Sequence, residues 1–110
     1  GGDPVNTITL AGVLNPGTGV PYGYTYSNAP ASSPIYLYGS LNLNGSLLFG
    51  HPLDIGSQKL LLSGVSLANG TGTFFLTIPA SMSGRTGYIE AACDGPQGWR
   101  DSNALMLNIQ

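Results

Sequence analysis

Apolar and polar residues alternate with a period of two along most of this chain. No stretch of ten or more residues carries apolar positions at helical spacing without a Gly, Pro or β-branched interruption. Period two is the signature of strands whose side chains point alternately to opposite faces, so the pattern predicts strands and almost no helix. The first predicted strand runs over 5–13. Val5, Thr7, Thr9 and Ala11 face one way and Ile8, Leu10 and Gly12 the other, until Asn15-Pro16-Gly17 breaks it. In the second, Tyr22, Tyr24 and Tyr26 alternate with Gly23 and Thr25, which puts three rings on one face. A short third strand covers 35–38, and Leu41, Leu43 and Leu47 opposite Asn42 and Asn44 suggest a further extended segment that Gly45 bends or ends.

The apolar run 59–67 reads as a strand buried on both faces, followed by the turn Ala68-Asn69-Gly70 and a strand over 71–78. Phe74, Leu76 and Ile78 take the inward positions there. In the strand over 86–93, Ile89, Ala91 and Cys93 share one face and Tyr88, Glu90 and Ala92 the other. The last strand, 103–109, carries Leu105 and Leu107 inward, so Phe74, Leu76, Ile78, Ile89, Ala91, Leu105 and Leu107 are expected in one core. Seven or eight short strands separated by turn clusters in one domain over 1–110 point to an all-β fold. The expected form is an antiparallel immunoglobulin-like or Greek-key β-sandwich, with a small β-barrel as the alternative.

Three segments of the C-terminal half carry a resemblance: Leu67-Ala-Asn-Gly-Thr-Gly-Thr through Phe-Leu-Thr-Ile-Pro, then Gly87-Tyr-Ile-Glu-Ala-Ala, and finally Asp101-Ser-Asn-Ala-Leu-Met-Leu-Asn-Ile. Over about the last 45 residues the chain resembles a β-rich, often C-terminal module of large secreted proteins from planctomycete-like environmental bacteria. Asp94-Gly95-Pro96 departs from the Asp-Pro of that pattern. The resemblance implies export and a β-sandwich, and it carries no activity.

Composition narrows the partners. Only 7% of residues are charged, against about 25% in ordinary domains, while 42% are hydrophobic, too many for a disordered chain. A net charge of −2 with three basic residues, Lys59, Arg85 and Arg100, provides no electrostatic footprint for nucleic acid. No apolar run reaches the roughly 18 residues that span a bilayer, so membrane insertion is not expected and any signal peptide is expected to have been removed. Low charge, many Gly, Ser, Thr and Asn residues, and two glycosylation acceptor patterns beginning at Asn44 and Asn69 suit an extracellular or cell-surface location. Both acceptors are Asn-Gly pairs, which are turn signals first.

Catalytic chemistry finds little to use. His51, the only histidine, lies in the turn-like Gly50-His51-Pro52-Leu53-Asp54 and reads as a surface or turn residue, and no nucleophile-elbow pattern Gly-x-Ser-x-Gly is present. Cys93, the only cysteine, falls on an inward face and reads as a small apolar group. One His and one Cys cannot build a tetrahedral zinc site without two distant carboxylates, and no cofactor is expected. The loop 94–101 offers two carboxylates and Gln97, but its spacing does not match a twelve-residue calcium loop, and it reads as a solvated hairpin with an ion pair to Arg100. Glu90, Asp3, Asp54, Asp94 and Asp101 include no pair that the sequence brings together for glycoside hydrolysis.

These readings lead to a non-enzymatic extracellular structural or assembly module, with itself or other extracellular proteins as partner. Its assembly strand would be the segment of Val5, Thr7 and Thr9, since sparse charge leaves sheet edges unprotected. The alternative is a carbohydrate-binding module, with Tyr22, Tyr24, Tyr26 and Trp99 as contact residues and an aromatic platform. Packing of the three tyrosines inside the sandwich or at its rim stands beside both.

Overall fold

A computed structural model describes residues 8–110. Val5 and Thr7, two of the expected assembly residues, lie outside the described residues. The strands are β1 (Thr9–Ala11), β2 (Pro21–Ser27), β3 (Pro34–Ser40), β4 (Ser46–Leu48), β5 (His51–Leu53), β6 (Lys59–Val65), β7 (Gly72–Thr77), β8 (Thr86–Gly95), β9 (Gly98–Asp101) and β10 (Leu105–Asn108). One sheet has the order β1-β2-β7. The other has the order β10-β8-β3-β6, with β9 also pairing β8, and β4 and β5 form a separate hairpin. Each of these strand pairs is antiparallel. The two larger sheets make the expected all-β sandwich, and the period-two pattern decides which residues line its interior.

Tyr24 and Tyr26 of β2 pair across from Phe74 and Gly72 of β7, and their rings enter the core with Leu10, Phe74 and Leu76. From the other sheet come Ile35 and Leu37 of β3, Ile89, Ala91 and Cys93 of β8, and Leu107 of β10. The seven residues expected in one core are all there, Leu105 packing against it from a partly buried position. Tyr22, Tyr24 and Tyr26 do share a face, but it is the inner one: Tyr24 and Tyr26 are buried and Tyr22 is partly so. They are therefore not an exposed platform. The Tyr24 hydroxyl donates to the Val13 carbonyl at 2.7 Å, and the Tyr22 hydroxyl accepts from the Gly17 amide at 2.9 Å. Tyr24→Phe should cost about 1 kcal/mol, the net worth of one such bond with its acceptor left unpaired, measured by urea unfolding. No change in midpoint would mean that solvent already satisfies the Val13 carbonyl.

Three local expectations need correction. The run 59–67 is not buried on both faces: β6 stands at a sheet edge, pairs β3 alone, and leaves Leu60, Leu61 and Val65 exposed. The segment containing Leu41, Leu43 and Leu47 is not one extended strand either. Phe49 and Gly50, with φ of 49° and 84°, make a two-residue turn that folds 46–53 into the β4–β5 hairpin. The solvated loop expected over 94–101 is largely strand, since β8 and β9 pair from Ala92–Asp101 to Gly95–Gly98.

The N-terminal strand is paired within its own chain. Thr9, Leu10 and Ala11 register against Ser27, Tyr26 and Thr25. The Leu10 amide donates to Asn103 Oδ1 at 2.8 Å, and Asn103 Nδ2 donates to the Leu10 carbonyl at 3.0 Å. Asn103 thus imitates a strand and ties β1 to the opposite sheet. Thr9 is no free assembly edge, because the main-chain groups beside it are already used.

Candidate functional site

Two places concentrate chemistry. The first lies on the outer face of the larger sheet, where the β4–β5 hairpin and Ile55 cover a second small core. Tyr38, Leu48, Leu53, Ile55 and Ala92 are buried there, with Tyr36, Tyr88, Trp99 and Ala104 packed around them. Outward alternation on β8 places Glu90 in this layer, and the pairing of Ala92 with Asp101 brings Asp101 alongside it. Both carboxyl groups are fully buried. Glu90 Oε1 accepts from the amides of Asp54 at 2.9 Å and Ile55 at 3.2 Å. The Asp101 carboxyl adjoins that of Glu90, and interaction between the two favours a proton on Glu90. Asp101 Oδ1 lies 2.8 Å from His51 Nε2, so His51 closes the cluster with its ring largely buried.

Burial first, and then the bond to Asp101, push Glu90 up to about 8. A neutral Glu90 spares Asp101 a second buried negative charge beside it, and Asp101 Oδ1 is engaged by His51. The arrangement latches the hairpin to the sheet: β5 is held through His51 and the residues after β5 through Glu90. It is a structural network on this geometry. The two carboxyls adjoin each other and are closed off from solvent, whereas glycoside hydrolysis sets them about 5–9.5 Å apart around a sugar.

The sequence reading of these residues is corrected in two respects. His51 is a strand residue locked to a buried carboxylate, not a turn or surface histidine, and Glu90 and Asp101 do converge. Asp101 is buried beneath the β4–β5 hairpin with His51 and not in the turn between β8 and β9. Cys93 lies in the inter-sheet core as expected, on the face of β8 opposite Glu90, and burial followed by Asp94 raises its thiol to about 11. A thiol held neutral there, across the sheet from His51, is a poor nucleophile. Trp99, on β9, stacks on Phe49 at 5.7 Å and tilts against Tyr36 at 5.9 Å. Asn44 and Asn69 are both exposed, and Asn69 Oδ1 accepts from the Thr71 hydroxyl at 2.7 Å.

The second place is a cleft of about 520 Å³ at one end of the sandwich. Its origin is a change of residue size at inward positions. On β3 the inward series Ile35, Leu37 ends in Gly39, and on β8 the series Cys93, Ala91, Ile89 ends in Gly87. Where two glycines replace large side chains on neighbouring strands the core stops short. Leu76, Ile78, Ile89, Leu107 and Ile109 wall the resulting space, and Leu41, Leu61 and Met82 stand at its apolar rim. Lys59, Ser40, Asn42 and Ser57 supply the polar part of the mouth. The sequence reading missed this site, whose signal was Gly39 and Gly87 at positions that alternation assigns to the core.

No family model matches the chain, and no curated protein matches it. Two of the solved structures similar to it show its fold. One is a superoxide reductase (neelaredoxin) from Ignicoccus hospitalis, 14% identical, with a TM-score of 0.63 over 94% of this chain and 80% of that one. The other is a variant form of the superoxide reductase from the same organism, 15% identical, with a TM-score of 0.58 over 96% and 81%. These likenesses support the all-β sandwich. They also correct the functional expectation of an extracellular structural or assembly module, since both of these structures are superoxide reductases.

Proposed function

We propose that this chain is a non-catalytic β-sandwich module that binds a small, largely apolar molecule in the cleft floored by Gly39 and Gly87. The cleft itself carries the reading: its volume of about 520 Å³ falls within the roughly 300–1,000 Å³ of small-molecule sites, and its walls are apolar with a few polar groups at the mouth. Burying an alkyl or aromatic body there gains about 0.8 kcal/mol per methylene removed from water.

A redox reading borrowed from the superoxide reductases does not fit the donors of this chain. His51 and Cys93 are the only residues of their types, they lie on opposite faces of the larger sheet, and His51 Nε2 is engaged by Asp101. Among the described residues no group of three or more His, Cys, Asp or Glu side chains is placed to hold a metal ion.

The test uses the neutral fluorescent probe N-phenyl-1-naphthylamine. Gly87→Leu introduces a side chain into the cleft without a clash at its root, because a Cβ at 87 would meet Ile109 Cδ1 at 3.6 Å and Met82 Cε at 3.9 Å. The native chain should bind one probe saturably. Gly87→Leu should weaken binding at least tenfold while melting cooperatively. Equal binding by both proteins, or none by the native chain, would refute the cleft as a ligand site.

A further inference from the structure

Resting on the cleft reading, we infer that the ligand is a single-chain amphiphile with an anionic head, its apolar chain between the sheets and its head group at Lys59. The mouth of the cleft is electrostatically one-sided. Among the described residues Lys59 is the only charged one that lines it, and no Asp or Glu does. The molecule as a whole carries a net charge of −2 and only three basic residues, so a cation at the edge of its apolar cleft runs against the overall sign. An ammonium beside low-dielectric walls attracts an anion more strongly than the same group on an open surface.

Two other polar groups of the mouth, Ser40 and Asn42, suit the same head. Ser40 Oγ donates to the Gly56 carbonyl and accepts from the Asn42 amide at 3.2 Å, and Asn42 Oδ1 accepts from the Asn44 amide at 3.1 Å. Their acceptor atoms are thus engaged in shaping the loop after β3, while the Asn42 Nδ2 donors and the Lys59 ammonium remain as hydrogen donors for a carboxylate or sulfate. Positioned in this way, the apolar body selects by shape and length and Lys59 selects by charge. The ligand is a freely dissolved amphiphile and not a bilayer surface, because the other two basic residues do not line the mouth.

Displacement of N-phenyl-1-naphthylamine by dodecanoate, dodecyltrimethylammonium and decanol, each below its micellar concentration, tests this. The native chain should prefer dodecanoate to dodecyltrimethylammonium by at least tenfold. Lys59→Met should weaken dodecanoate at least fivefold and leave decanol unchanged, with Arg100→Met as the charge control that alters neither. Lys59→Glu should reverse the preference between the two ions. Equal loss of dodecanoate and decanol in Lys59→Met, or no preference between the ions in the native chain, would overturn the head-group assignment while leaving an apolar ligand in place. Failure of all three to displace the probe would overturn the cleft reading itself. Association with phosphatidylglycerol vesicles without binding of monomeric dodecanoate would replace the dissolved ligand by a membrane.

Discussion

Leu37→Asp should leave no cooperatively folded protein at 25 °C. Leu37 is fully buried on β3, which is paired on one side by β8 and on the other by β6, and it belongs to the main core without lining the cleft. Truncating such a leucine to alanine costs about 2–5 kcal/mol through lost transfer energy and the cavity left behind. A carboxylate in the same place adds the cost of an unpaired buried charge, several kcal/mol more. The sum, roughly 5–10 kcal/mol, is of the same size as the roughly 5–15 kcal/mol that holds a domain of this size together. Near-ultraviolet circular dichroism and urea unfolding read the result, and Leu37→Ala serves as partner variant, folded but about 3 kcal/mol less stable. If Leu37→Asp melted within a few degrees of the native chain, the inward register of β3 would be wrong by one residue.

Alternation located that register because a strand with one buried face leaves no freedom to slip: a shift of one residue would exchange Leu37 for Tyr36. The same logic worked for Phe74 and Leu76 on β7 and for Ile89, Ala91 and Cys93 on β8. It failed where two buried faces lie on one sheet. Glu90 alternates with Ile89 and Ala91 as a solvent-facing residue would, and only the fold reveals that the β4–β5 hairpin covers that face. The hairpin itself was hidden because its turn is Phe49-Gly50, with a bulky residue at positive φ where Asn or Asp is usual. Phe49 remains there stacked on Trp99, a contact between residues 50 positions apart that no local pattern encodes. His51 and Asp101 meet across the same separation.

The two sites illustrate different demands on one small sandwich. On the outer face a second layer of apolar residues encloses charged side chains, and each must find a partner there or lose its charge. Inside, two glycines leave the core incomplete at one end. An unfilled space of this kind forgoes dispersion contacts along its walls, so the native fold gives up stability that a larger residue at 87 would restore. Gly87 can accept a side chain. Gly39 cannot do so without moving Leu61, whose side chain already occupies the volume above it.

Glu90 should make this protein less stable as pH rises from 4.5 to 8, and Glu90→Gln should remove that dependence. The ordinary pKa of 4.5 is raised to about 8 in the folded chain by burial and by the bond to Asp101. Between those values the folded state holds a proton that the unfolded state has released. Stability from this group is therefore fully present below 4.5, falls by at most about 1.4 kcal/mol per pH unit, and is lost once pH passes 8. Glutamine preserves the acceptor for the Asp54 and Ile55 amides and supplies a permanent N–H to Asp101, so it reproduces the neutral acid without titrating. Other carboxylates also titrate across this range, so the informative quantity is the difference in unfolding free energy between the two proteins, measured in urea from about pH 4 to about pH 9. That difference should be near zero at the acid end and grow in favour of Glu90→Gln until it levels above pH 8. Protection of the Asp54 and Ile55 amides from hydrogen exchange should follow the same curve, since Glu90 Oε1 holds both. Parallel stability curves for the two proteins would mean that Glu90 is ionised in the fold.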